Sequence, residues 1–139
     1  MKTFSSIVLT GASSGIGEAL ALDYAAPGVA LALTGRDSER LETVAVACRA
    51  KGATVVAETI DVTDRERLLP WLTAFDEAHP VDLVLANAGI SIDKDNSSLD
   101  DFSIIRKTLD VNINGVLNTV EPLIHPMMTR KHGQIGIVS

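Results

Sequence analysis

Short runs of apolar residues alternate along this chain with longer stretches in which apolar positions repeat at helical spacing. The apolar runs cover residues 7–10, 29–34, 54–60, 81–86 and 135–138, and each predicts a strand. The stretches between them predict helices over residues 16–26, 38–51, 64–78 and about 99–130. Polar residues 90–98 predict a loop.

Local signals mark the ends of the predicted helices. Ser38 is the expected cap of the second helix, and Thr63 with Glu66 forms a candidate capping box for the third. Prolines are expected to kink or split the third helix and to disturb the second half of the last one: Pro70, Pro122 and Pro126.

Helical crossovers between consecutive apolar strands predict a parallel sheet covered by helices on both faces. We therefore expect one domain over residues 1–139, with a Rossmann-like, doubly wound α/β fold, three layers and about five strands. Ligands of such sheets bind beyond the carboxyl ends of the strands, near the point where the strand order reverses.

Composition narrows the classes of partner. Of 139 residues, 46% are hydrophobic but only 4% aromatic, so aliphatic side chains must fill the core. A net charge of −6 argues against binding to nucleic acid or anionic membranes, and no run reaches the length of a membrane helix. The single cysteine, Cys48, excludes an internal disulfide, falls on an apolar helix face, and fits a reducing, cytoplasmic location.

A glycine-rich turn directly follows the first apolar run. It holds three glycines and two serines: Gly11, Ser13, Ser14, Gly15 and Gly17. Small residues let backbone N–H groups approach a phosphate, and the helix that opens near Ile16 presents its positive end to the anion. The turn predicts a dinucleotide site; the alternative is a tight turn between two packed elements.

Three further motifs follow the later predicted strands and the loop. They are Asp61-Val62, Asn87-Ala88-Gly89 and the Asn112 to Gly115 arrangement N-x-x-G. Together with the glycine turn, they resemble the short-chain dehydrogenase/reductase family over residues 10–139. The resemblance implies an NAD(P)-dependent oxidoreductase that transfers hydride between a nicotinamide cofactor and a small alcohol or carbonyl substrate.

The resemblance also implies roles for these residues. Asp61 accepts a hydrogen bond from the adenine amino group, and the Val62 N–H meets a ring nitrogen. Asn87 joins the fourth strand to neighbouring backbone, while Ala88 and Gly89 keep side chains away from the cofactor ribose. The alternative for Asp61 is a helix-capping aspartate.

The residues after the second strand bear on the choice of nucleotide. NAD sites carry an acid about 20 residues beyond the glycine turn, and the equivalent position here is Gly35, followed by Arg36. A glycine leaves room for a 2′-phosphate and a guanidinium pairs with it, so we expect NADP to be preferred, with NAD as the alternative. Asp37 opposes this expectation if its carboxylate reaches the ribose; Arg36 is otherwise a surface arginine.

Of the family's catalytic residues, the resemblance matches only Asn112, whose alternative is a helix-breaking residue bonded to backbone. Tyr24 lacks a lysine four residues on, and Ser139 is not assigned. We therefore expect an amino-terminal part, truncated before the Tyr-x-x-x-Lys region and inactive as given. Rival interpretations are a non-catalytic dinucleotide-binding sensor and a protein–protein module.

Two expectations concern the remaining surface. The resemblance implies a homo-oligomer formed through the long helix around residues 109–128. No metal site is expected, because His79, His125 and His132 lack ligand spacing and the acidic residues at 93, 95, 100 and 101 suit a solvated loop and helix start.

Overall fold

The computed structural model of this chain describes residues 3–91 and 101–139. Five strands and five α-helices alternate along them: β1 (Ser6–Thr10), α1 (Gly15–Tyr24), β2 (Ala30–Gly35), α2 (Ser38–Ala50), β3 (Thr54–Thr59), α3 (Arg65–Ala78), β4 (Leu83–Ala86), α4 (Asp101–Leu109), α5 (Gly115–Arg130) and β5 (Gln134–Ile137). A π-helical segment, Asp110–Asn114, joins α4 to α5. Residues 92–100 lie outside the described residues. They include most of the predicted polar loop and the acidic residues at 93, 95 and 100.

The strands form one sheet in the order β3-β2-β1-β4-β5, and every neighbouring pair is parallel. The predicted doubly wound parallel fold is confirmed. After β3 the chain crosses over to the other side of β1, so the strand order reverses between β1 and β4. In open sheets of this kind, the crevice at the carboxyl ends of those two strands is where ligands bind.

Each face of the sheet carries its own hydrophobic core. On one face, leucines and isoleucine of β1 and β2 pack under α1 and α2; on the other, valines and alanines pack under α3 and α5. This alternation follows from the two-residue period of strand side chains. Cys48 is fully buried in the first core, as predicted, and its burial raises the pKa of the thiol.

The helix caps differ from the predicted ones. Asp37, rather than Ser38, caps α2 by accepting a hydrogen bond from the backbone N–H of Arg40 at 3.0 Å. Asp64 caps α3 in the same way, and the Thr63 hydroxyl donates instead to Asp61. The predictions were wrong because an aspartate one residue away competes for the same N–H groups.

Prolines disturb the helices less than expected. Pro70 lies inside α3, which runs as one helix, and Pro122 and Pro126 lie inside α5, which is continuous to Arg130. Burial of the apolar side of each helix outweighs the hydrogen bonds that the prolines remove. The irregularity of the last helical stretch is the π-helical segment around Asn112, a feature found often near functional sites.

Strands β3 and β5 are the two edges of the sheet. β5 presents an apolar residue at its edge, because Ile137 is 60% exposed. Across residues 3–91 and 101–139, no helix combines the length and the apolar character needed to cross a bilayer.

Candidate functional site

A cleft of about 310 Å³ lies over the carboxyl ends of β1 to β4. Most of the residues predicted to bind a cofactor line it: Gly11, Ser13, Ser14, Arg36, Asp61, Val62, Asn87, Ala88 and Gly89. Gly15, Ile16 and Gly17 do not line the cleft and form the first turn of α1, directly after Ser14. The fold thus brings together four short motifs that are far apart in the sequence.

Two glycines of the turn permit close packing of backbone. Gly11 has a φ of +67°, and a Cβ there would lie 2.9 Å from the Cα of Ala88. A Cβ on Gly17 would lie 2.0 Å from the carbonyl oxygen of Gly11, so α1 packs directly on the turn. The absence of a side chain at Gly11 therefore lets the glycine turn contact the turn after β4.

The third glycine faces open space. Gly15 has a φ of +58°, and nothing lies within 4 Å of the position that its Cβ would take. The N-cap of α1 is Ser14, whose side chain makes no capping hydrogen bond, in contrast to the aspartates that cap α2 and α3. Ser14 therefore leaves the N–H groups of the first turn of α1 without a capping side chain, next to the cleft.

Thr10, which belongs to none of the predicted binding motifs, fixes the turn after β4. Its buried Oγ1 accepts hydrogen bonds from the backbone N–H groups of Asn87 at 3.1 Å and Ala88 at 3.0 Å. The Asn87 amide in turn donates to the carbonyls of Thr10 and Gly11, each at 3.2 Å. A hydroxyl at the last position of a buried apolar strand was the available signal.

The Asp61-Val62 pair is held by polar contacts on both sides. Asp61 Oδ1 accepts from the backbone N–H of Thr63 at 2.9 Å and from its hydroxyl at 2.8 Å, so it closes a local turn and does not cap α3. The Val62 carbonyl accepts from the buried Asn118 amide at 2.9 Å. Asn118 was also missed, since its partner lies 56 residues away.

Two arginines lie at the end of the cleft near β2. Arg36 is exposed there, and Arg40 of α2 lines the same cleft. The Asp37 carboxylate caps α2, and its Oδ2 lies 3.7 Å from Arg40 Nε. Gly35 lines the cleft beside them, and a Cβ there would lie 2.9 Å from Ser13 Oγ, so the missing side chain makes room for the glycine turn.

Asn112 lies in the π-helical segment, and its side chain forms two hydrogen bonds with the backbone that follows β4. Its Oδ1 accepts from the N–H of Ile90 and its Nδ2 donates to the carbonyl of Ile90, both at 2.8 Å. The neighbouring Asn114 donates instead to Asp110 within its own helix. Asn112 thus has the backbone-bonded geometry of the alternative interpretation, and it holds a residue that lines the cleft.

Comparisons with known proteins bear on what this cleft does. Residues 5–139 match the family model described as short chain dehydrogenase. A protein of Myxococcus xanthus described as an uncharacterized oxidoreductase is 34% identical over 138 residues, which are 99% of this chain and 54% of the relative.

Two solved structures share the fold. An alcohol dehydrogenase from the archaeon Thermococcus sibiricus, complexed with 5-hydroxy-NADP, has a TM-score of 0.82 at 32% identity, covering 96% of this chain and 57% of that one. An NAD⁺-bound xylitol dehydrogenase has a TM-score of 0.82 at 28% identity, covering 96% and 52%. The chain therefore spans about half the length of these three proteins.

Proposed function

The chain belongs to the short-chain dehydrogenase family, and we propose that it forms the cofactor-binding part of an oxidoreductase that prefers NADP over NAD. The observation that carries this proposal is the start of α1, which has no side-chain cap and lies beside the cleft. When bound, the nicotinamide group supplies the hydride acceptor or donor for a small alcohol or carbonyl substrate.

The residues present fit a dinucleotide. The first turn of α1 offers N–H groups and the positive end of the helix dipole to a pyrophosphate, and open space at Gly15 lets it approach. Ser13 and Ser14 add hydroxyl donors. Asp61 and Val62, which line the same cleft as the small residues of the turn after β4, would contact the adenine.

The preference for NADP follows from charge. Arg36 is exposed in the cleft, and Asp37, the carboxylate nearest to it in sequence, is engaged in capping α2 and faces Arg40. A 2′-phosphate gains a guanidinium partner at this position, whereas one oxygen of the Asp37 carboxylate is already engaged by the Arg40 N–H.

Asn112 is assigned a positioning role in the reaction. By holding both backbone groups of Ile90, it fixes the cleft wall beyond the Asn87 to Gly89 turn. We place the protein in the cytoplasm, where the buried thiol of Cys48 stays reduced.

A charge placed at the start of α1 tests the proposal. Ser14→Asp in the full-length protein should keep or raise the melting temperature, because aspartate is a favoured N-cap. Its carboxylate repels the pyrophosphate, so the affinity for NADPH measured by isothermal titration calorimetry should fall about a hundredfold. Ser14→Asn, which caps without charge, is the matched control and should lose less.

Unchanged NADPH affinity in a folded Ser14→Asp variant would overturn the assignment of the pyrophosphate to this helix. A wild-type protein that binds neither NADPH nor NADH would overturn the proposed function altogether. Tight binding without reduction of any carbonyl compound would favour the alternative, a non-catalytic dinucleotide-binding sensor.

An apolar stripe supports self-association through the long helix. It runs along α4, the π-helical segment and α5 on side chains that are 41–74% exposed: Phe102, Ile105, Leu109, Ile113, Leu117, Ile124 and Met128. Contiguous apolar surface of this kind marks interfaces. Leu117→Glu should therefore dissociate the oligomer in analytical ultracentrifugation, whereas Val46→Glu, at an exposed valine of α2, should not; an oligomer that survives Leu117→Glu contradicts this proposal.

A further inference from the structure

Arg40 lies at the cofactor cleft although it belongs to no motif of the chain. It is in the first turn of α2, and it lines the cleft together with Arg36 and Asp37. Its side chain is 70% exposed and its backbone N–H is the one that Asp37 caps. The residue is thus fixed at its backbone, while its side chain is largely exposed to solvent.

The contact between Arg40 and Asp37 is loose. Nε and Oδ2 are 3.7 Å apart, and the Asp37 side chain is 51% exposed, so water screens the pair. A phosphate monoester carries between one and two negative charges at neutral pH and presents three acceptor oxygens. Such a group is a stronger partner for a guanidinium than a solvated carboxylate at this distance.

We propose that Arg40 is a second determinant of cofactor specificity. Its guanidinium gives up the contact with Asp37 and binds the 2′-phosphate of NADP alongside Arg36. This inference rests on the proposed function, because it assumes that the adenosine half of the cofactor occupies the cleft. Asp37 continues to cap α2 through the backbone N–H of Arg40 and opposes the phosphate by its charge. The site therefore discriminates with two arginines and one competing carboxylate.

The test compares affinities for NADPH and NADH in the full-length protein by isothermal titration calorimetry. Arg40→Met should weaken NADPH binding about tenfold or more and leave NADH binding within about twofold, since only NADPH carries the 2′-phosphate. Asp37→Asn, which keeps a capping oxygen, should strengthen NADPH binding severalfold. Arg49→Met is the matched control, because Arg49 lies at the far end of α2 and pairs with Glu42.

A double variant separates direct contact from screening of Asp37. If Arg40 binds the phosphate itself, Arg40→Met combined with Asp37→Asn should still bind NADPH more weakly than Asp37→Asn alone. Equal affinities of these two variants would overturn the contact, because Arg40 would then act only by neutralising Asp37.

The outcomes also separate this inference from the proposed function. Wild-type protein that binds neither nucleotide refutes the function. Wild-type protein that binds NADPH, with an NADPH-to-NADH affinity ratio unchanged by Arg40→Met, refutes only the role of Arg40. Binding of 2′,5′-ADP, which contains the 2′-phosphate but no nicotinamide, should respond to Arg40→Met as NADPH does.

Discussion

The side chain of Ser13 lies directly against the α-carbon of Gly35. A Cβ on Gly35 would meet Ser13 Oγ at 2.9 Å and Ser13 Cβ at 3.0 Å, so the glycine turn after β1 rests on the end of β2. The backbone N–H of Ala12 reinforces this contact by donating to the carbonyl of Thr34 at 2.9 Å. A Cβ at position 35 therefore requires Ser13 to shift within the turn that we assign to the pyrophosphate.

Gly35→Ala should therefore weaken binding of NADPH and NADH by similar factors, about tenfold each, because overpacking at this contact costs about 1–3 kcal/mol. Calorimetric titration with both nucleotides measures this. The double variant Ser13→Gly with Gly35→Ala removes the clash and should regain part of the lost affinity. An effect confined to one nucleotide, or no recovery in the double variant, would contradict the packing explanation.

Thr10→Val should destabilise the fold by about 2–4 kcal/mol. The substitution preserves shape but leaves the backbone N–H groups of Asn87 and Ala88 without the acceptor that Thr10 Oγ1 provides, and an unsatisfied buried donor costs about 1–3 kcal/mol. Urea unfolding gives the free energy. Thr10→Ser keeps the hydroxyl and should retain most of the stability; an equally large loss in Thr10→Ser would show that the methyl group matters instead.

Arg130→Met should destabilise the fold by about 2–4 kcal/mol, because it leaves the buried carboxylate of Asp76 without its cationic partner. Arg130 donates to both oxygens of Asp76 at 2.8 and 3.0 Å and to the carbonyl of Val81, while the Asp76 side chain is only 10% exposed. Arg65→Met, which breaks an equally bidentate pair with Glu121 at the surface, is the control and should change the urea midpoint far less. Similar losses in the two variants would refute the role of burial.

The pKa of Glu121 should lie below its usual range in the folded protein. The hydrogen bond from Arg65 and the charge of that guanidinium both favour the carboxylate. Because the folded-state pKa is the lower one, the contribution of the pair is complete above the unfolded-state pKa and is lost as the pH falls through the folded-state pKa. A side-chain NMR titration measures it, and Arg65→Met should raise the pKa of Glu121; identical titrations would contradict the pairing.

The sequence alone determined where the strands lie, the parallel α/β fold class and the residues of the glycine turn. These features depend on local periodicity and on backbone geometry that only small residues allow, so they can be identified from neighbouring residues. Gly17 illustrates this, since a Cβ there would meet the carbonyl oxygen of Gly11. The predictions of the N-cap residues of α2 and α3 were wrong by one position, because two adjacent polar side chains compete for the same N–H donors.

Tertiary structure decided which side chains support the cleft. Thr10 meets Asn87 across 77 residues of sequence, and Asn118 meets Val62 across 56. Arg40 reaches the cleft because α2 begins at the edge where β2 ends, and Gly35 makes room for the glycine turn because Ser13 lies against it. These residues are too far apart in the sequence for helix or strand periodicity to relate them. Only the packed sheet brings them within hydrogen-bonding distance.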